Sequence, residues 1–435
     1  MKSKILLFLI ILSSAIEAKG ILFISEAYEL GLANANHIKS SIYQYKAMQE
    51  KIKQQESYLY PHLNLSASIT KTYSKTKKSD SLYYKSQKRV FTKSISLDFT
   101  QVLYDPSLIK KIKVQKKQTE LFFIKTAILK QNFATDVLKN YLDAMRAKNR
   151  IELLNSYIQY YKNLRKLITE QIKMQLATEI DLLEVETKLE DVKIQITKEK
   201  ALLKSYKKSL SYLTGVHNFK LPSSKIRYLS NKKIKRLLNT VQYFLDKENN
   251  LEYQQAKKGI ELSQIQIEAA KSERLPKLKF QASYTKNFST SKVVYDNTKN
   301  LSLKLTMPLY DGGLTSAKIQ EAKLNKLAAL EDLQNVKKNI DINYIQELAN
   351  LKALVKSVKM YKKIYKKSQL YYKLAKEGYK QNIKSIVDVY NAKAQLYDSK
   401  FKYMQNIYDM LTSYVKLLII TNNMEKLSLA DKILK

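Results

Sequence analysis

Two aspartates stand in matched surroundings 207 positions apart, in Thr178-Glu179-Ile180-Asp181-Leu182 and Ser385-Ile386-Val387-Asp388-Val389. An acid at the start of a helix can cap it and complement its dipole. Copies of one acid gathered about an axis repel each other and attract cations. Both tasks are electrostatic, and neither makes or breaks a bond. No catalytic constellation accompanies the pair. His37, His62 and His217 are far apart and there is no cysteine, so a His/Cys metal site lacks its ligands. No P-loop, dinucleotide fingerprint or G-x-S-x-G is present. An enzyme is therefore not expected, nor a cofactor.

The elements that must carry these acids come in two copies. Tyr60-Pro61-His62-Leu63, an alternating segment and Leu103-Tyr104-Asp105 precede a long breaker-free run. Leu275-Pro276-Lys277-Leu278, another alternating segment and Leu309-Tyr310-Asp311 precede a second. Pro276 lies 215 positions after Pro61 and Tyr310 lies 206 after Tyr104, so one loop of the first copy is longer. An internal repeat of this size dictates architecture. The expected organisation is a signal peptide at 1–18, a first repeat at 22–215 with a strand hairpin at 62–104, and a linker at 216–240. A second repeat at 241–423, with a hairpin at 277–310, and a short tail at 424–435 complete it. The signal reading rests on Lys2 and Lys4 before the apolar run Ile5 to Leu12, with cleavage after Ala18 or Ala15.

Residues 107–214, 314–377 and 379–435 contain neither Gly nor Pro, which favours helix. Ala134, Leu138, Tyr141 and Met145 step by 4, 3 and 4, and Ile151, Leu154, Ile158, Tyr161 and Ile168 continue the seam of a coiled coil. A helix over 107–173 would be about 100 Å long, a strut rather than part of a globule. Asp105 with Pro106, and Asp311 with Gly312-Gly313, are placed to start these helices.

Four short segments have period 2 instead. Leu63, Leu65, Ala67 and Ile69 alternate with polar residues, as do Ile95, Leu97 and Phe99. Leu278, Phe280, Ala282 and Tyr284, and then Leu301, Leu303, Leu305 and Met307, follow the same rule. Strands with one apolar and one polar face, about ten residues long, suit a membrane barrel. Four strands cannot close one, because single-chain barrels begin at about eight. Several chains must then share a barrel whose polar face lines water. Tyr60, Tyr104 and Tyr310, near the strand ends, suit an interfacial belt.

The formal net charge is +39, yet the lysines are spread along the chain and the signal directs it away from cytoplasmic nucleic acid, so no nucleic-acid partner is expected. A basic surface favours anionic solutes or acidic lipid headgroups instead.

The order of signal, helix, Tyr-Pro-x-Leu strand, hairpin, Leu-Tyr-Asp, long helix and Ala177-Thr178-x-x-Asp181-Leu182-Leu183, then all of it again, resembles the TolC-type outer membrane efflux proteins over about 22–423. The resemblance implies an α+β membrane protein: a homotrimer sharing a 12-stranded outer-membrane β-barrel, four strands per chain, continued by a long α-helical coiled-coil barrel in the periplasm. It implies a passive exit duct for efflux or type I secretion in the outer membrane, touching outer-membrane lipid and docking to a periplasmic adaptor (membrane fusion) protein and an inner-membrane transporter. A periplasmic adaptor or a basic coiled-coil scaffold is the alternative reading.

By the same resemblance Asp388, Asp181 and Asn391 lie at the periplasmic gate, and Tyr379 and Lys384 tether the second helical hairpin to the first. Gln175, Thr178, Asn382 and Ser385 form the hairpin tips that an adaptor meets. Gln175 and Asn382 stand where the family often has Gly, which puts the turn geometry in question. Asn391 stands where some relatives have a second Asp, so a doubled acidic ring is not expected.

Overall fold

The repeat in the sequence is a repeat of elements. A computed structural model describes residues 20–75, 87–222, 230–242, 247–289 and 297–434. The expected signal peptide, 1–18, and the middle of each expected strand hairpin, 76–86 and 290–296, lie outside these residues. The helices α1 (Ile24–Asn34) and α2 (Asn36–Ser57) lead into strands β1 (His62–Lys75) and β2 (Gln87–Tyr104). Helices α3 (Pro106–Lys173) and α4 (Glu179–Thr214) complete the first copy. After α5 (Asn231–Gln242), the second copy runs α6 (Leu251–Ser272), β3 (Lys277–Ser289), β4 (Asn297–Thr306), α7 (Leu314–Lys380) and α8 (Ile386–Ile420). A short α9 (Ser428–Leu434) ends the chain.

The contacts divide the chain into two units. One, residues 42–125 and 255–334, holds the strands. They form a single antiparallel sheet in the order β1-β2-β3-β4, so the two repeats join through β2 and β3. The register carries one apolar face across all four strands: Leu63 faces Phe99, Phe99 faces Ala282, and Ala282 faces Leu301. Leu65 and Leu301 on this face are 74% and 78% exposed, far beyond what a water-facing sheet tolerates. The other face is polar: the Ser66 and Ser96 hydroxyls meet at 2.7 Å and those of Ser68 and Ser94 at 2.8 Å. Among the described residues β1 and β4 are the edges of the sheet.

The helix starts next to the sheet are built as the junction residues imply. Asp105 accepts from the Leu108 amide at 3.1 Å and from the Ser107 hydroxyl. Asp311 accepts from the Thr315 amide at 2.9 Å and from the Gly313 amide at 3.2 Å. Hydrogen bonds from Thr315 hold the Asp311 carboxyl below the usual carboxylate range.

The other unit comprises residues up to 41, 126–254 and 335 onward. Its core is the seam read from the sequence: Ala134, Leu138, Tyr141, Met145, Leu154, Tyr161 and Ile168 are buried, while Ile151 and Ile158 are half-buried. Tyr403, Ile407, Tyr408, Met410, Leu411 and Tyr414 of α8 are fully buried as well. Two of the buried phenols there are tied to carbonyls: Tyr141 donates to that of Leu22 at 2.9 Å and Tyr414 to that of Lys426 at 3.1 Å.

Part of the stretch read as a linker, 216–240, is helical. Ile234, Leu237 and Val241 of α5 are spaced 3 and 4 apart and fully buried, between solvent-facing Lys233 and Arg236. The short tail is likewise packed, through buried Leu427, Ala430 and Ile433. Both segments escape a reading based on Gly and Pro, because their apolar stripes are only a few turns long.

Candidate functional site: the paired helical tips

The turns after α3 and α7 are superimposable in chemistry. The Leu176 amide donates to the Gln171 carbonyl at 2.8 Å and the Gln175 amide to that of Ile172 at 3.0 Å. In the second copy Ile383 donates to Gly378 at 2.8 Å and Asn382 to Tyr379 at 3.0 Å. This is a Schellman closure, which needs one left-handed residue. Gln175 and Asn382 fill that place, each at φ 57°. The missing glycines therefore do not change the turn; they load it. A left-handed Gln costs on the order of 1 kcal/mol relative to Gly. Gln175→Gly should accordingly slow hydrogen exchange of the Leu176 amide about five-fold. Unchanged exchange would mean the turn carries no strain.

Next to each closure sits a reciprocal cap. The Thr178 amide donates to Asp181 Oδ2 at 2.9 Å, and the Asp181 amide donates to Thr178 Oγ1 at 3.3 Å. Ser385 and Asp388 repeat this at 2.9 and 3.1 Å. These backbone hydrogen bonds hold both carboxyls below the usual range. The stabilisation is present above the unfolded carboxylate pKa of about 4 and is lost as pH falls through the lowered folded value. Within one chain, then, Asp181 and Asp388 are helix caps first. Asn391 is exposed one turn beyond Asp388.

The two copies differ where they would touch. Gly378 occupies the place that Gln171 holds in the first copy. A Cβ at Gly378 would come within 2.9 Å of Lys384 Cγ, so glycine lets the lysine stem lie across α7. Lys384 Nζ then sits 3.9 Å from Asp388 Oδ1. Gln171 instead reaches the second hairpin, its Nε2 donating to the Tyr379 hydroxyl at 2.6 Å. The Tyr379 hydroxyl thus bonds across to α3, and Lys384 pairs with Asp388 of its own tip. Asp181 and Glu184 line a small crevice with Ile386, Val387 and Tyr390.

Above the tips lies a cluster of tyrosine rings about one lysine. The rings of Tyr157 and Tyr397 meet at a tilt of 39°, their centres 3.7 Å apart. Tyr157 donates to the Ala394 carbonyl and Tyr397 to that of Ser156, each at 3.1 Å, so each phenol is bonded to the other's helix. Lys393 Nζ lies 4.2 Å from the ring centre of Tyr372, 5.0 Å from Tyr397 and 5.4 Å from Tyr160. Burial, with Lys376 and Lys400 nearby, pulls the Lys393 pKa down. The only hint in the sequence is the abundance of tyrosine, 32 residues, with Tyr157, Tyr160 and Tyr161 on one face.

The family described as outer membrane efflux protein matches residues 245–423, the second copy. The outer membrane protein TolC of Vibrio cholerae is 23% identical over 423 residues, spanning 93% of this chain and 91% of that protein. The chain resembles the TolC-type outer membrane efflux proteins. The alkaline protease secretion protein AprF of Pseudomonas aeruginosa is 21% identical, spanning 94% of this chain and 86% of AprF. The Campylobacter jejuni CmeC outer membrane channel superposes with a TM-score of 0.74 at 16% identity, covering 95% of this chain and 90% of that one. At that identity the superposition establishes the fold alone.

Proposed function

We propose that the protein is the outer-membrane exit duct of a tripartite efflux or type I secretion system. The observation that carries this reading is the sheet: four strands with a lipid-type face, a hydroxyl-lined face and two open edges. Resemblance to TolC and AprF along nearly the whole chain supports the same place in the cell and the same class of task. Three chains pair β1 of one with β4 of the next and close a barrel, and the polar strand face lines its water. The duct does no chemistry; the inner-membrane transporter supplies energy, and the adaptor meets the tips at Gln175, Thr178, Asn382 and Ser385.

At rest the tips hold the duct closed, through Tyr379 and Gln171 and through the tyrosine cluster above them. Three copies of Asp388, with Asp181 behind them, present carboxylates at the constriction and attract cations. Planar-bilayer recording tests this. Each tether hydrogen bond is worth about 1 kcal/mol, so removing three should favour the open state roughly a hundred-fold. Tyr379→Phe should therefore raise single-channel conductance or open time, and Asp388→Asn should weaken block by divalent cations. Wild-type conductance and block in both variants would remove the gate assignment and leave the sheet argument standing.

A further inference from the structure

The apolar sheet face does not stay apolar to its end. Its apolar run is staggered: Leu63 to Ile69 on β1, Leu278 to Tyr284 on β3 and Leu301 to Leu305 on β4, with Lys286 already opposite Ile95 and Lys299 opposite Tyr284. Seven residues of strand rise roughly 20 Å, and the tip-ward edge of the run is oblique. Toward the hairpin tips, away from the ends that join α3 and α7, the same face turns basic.

Lys71 of β1 stands opposite Phe91, two residues from Lys93 on β2. Lys93 stands opposite Phe288, two residues from Lys286 on β3. Lys286 stands opposite Asn297, two residues from Lys299 on β4. Each lysine is thus the diagonal cross-strand neighbour of the next, and the four make one oblique line across the whole sheet. Diagonal neighbours lie about 7–8 Å apart, so two flexible ammonium groups can flank a single phosphate. All four are exposed, and among the described residues no carboxylate pairs with them or shares their sheet face. Aromatic rings are interleaved: Lys71 Nζ lies 5.4 Å from the ring centre of Tyr73, Lys93 5.8 Å from Phe91, and Lys286 5.3 Å from Phe288. Such rings sit at the water interface of a bilayer and hold the lysine stems there.

Resting on the membrane-strand reading above, we propose that this line of lysines is a docking site for phosphorylated lipid headgroups of the outer leaflet. Neighbouring ammonium groups hold the phosphates, and the acyl chains lie on the apolar band below. The placement is the argument: four exposed cations in one line, interleaved with aromatic rings at the rim of an apolar face, match the phosphates of a lipid layer that covers that face. A trimer would carry three such lines, one on each chain's outward face.

Native mass spectrometry of the full chain in mixed micelles tests the proposal. The probes are diphosphorylated lipid A and the same lipid with both phosphates removed. The wild type, and a variant with Lys71, Lys93, Lys286 and Lys299 all changed to Arg, should prefer the phosphorylated form at least about ten-fold. The corresponding variant with all four changed to Gln should bind both forms alike. No preference in the wild type, or an undiminished preference in the Gln variant, would overturn the assignment. The same spectra report subunit number. Trimers without a preference sink the lipid site alone; single chains sink the shared-barrel reading and the site with it.

Discussion

A Leu65→Arg chain should keep its helices but fail to accumulate as a trimer in the outer membrane. Leu65 lies mid-strand on the apolar face, opposite Leu97, and is largely exposed in the single chain. Within a shared barrel that exposure is to lipid. A midplane Arg costs about 2–4 kcal/mol per copy, and a trimer contains three. The loss should reach about 6 kcal/mol or more, enough to remove most assembled protein. Ser66→Arg, one residue along, points to the polar face, where Ser66 meets Ser96. It should assemble and change only ion selectivity. Semi-native electrophoresis of membrane fractions distinguishes the two. Wild-type amounts of Leu65→Arg trimer would mean that this face is not in lipid.

Tyr157→Ala combined with Tyr397→Ala should release the second helical hairpin from the first. The two tilted rings lie with their centres 3.7 Å apart, and each hydroxyl is bonded across to the other helix. Truncating a large packed aromatic costs about 3 kcal/mol or more. The pair acts as a unit, so the double variant should exceed either single change only modestly. Lys393, which lies over Tyr397, would lose one wall of its cage. Faster hydrogen exchange along the tip-side half of α8, with a larger single-channel conductance, is the expected result. Unaltered exchange there would show that the cluster is filler and that the tips are held elsewhere.

Much of the architecture is legible in the residues. The breaker-free run from Ser107 reads as one helix, and α3 spans Pro106–Lys173. The alternation at Leu63, Leu65, Ala67 and Ile69 reads as a two-faced strand, and β1 is one. The period of a pattern states which face is buried but not what covers it. Nothing local to Tyr157 points to Tyr397, 240 positions away, and nothing local to Gln171 points to Tyr379. Those contacts arise only when two copies of one hairpin lie side by side. The tip turn is a different case. Propensity speaks against a left-handed Gln175, yet it adopts the same φ as Asn382 because the flanking closure and cap demand it. Gly378 gives no local signal for the opposite reason: it sits in regular helix, and its value is the space it leaves for Lys384.

The central claim is that four strands with open edges are one chain's share of a common barrel. The native mass of detergent-extracted protein from the membrane fraction tests it most directly. A complex of three chains is the expected result. A single chain recovered from the soluble periplasm would contradict it, because the apolar face and both edges of the sheet would then have to be covered some other way.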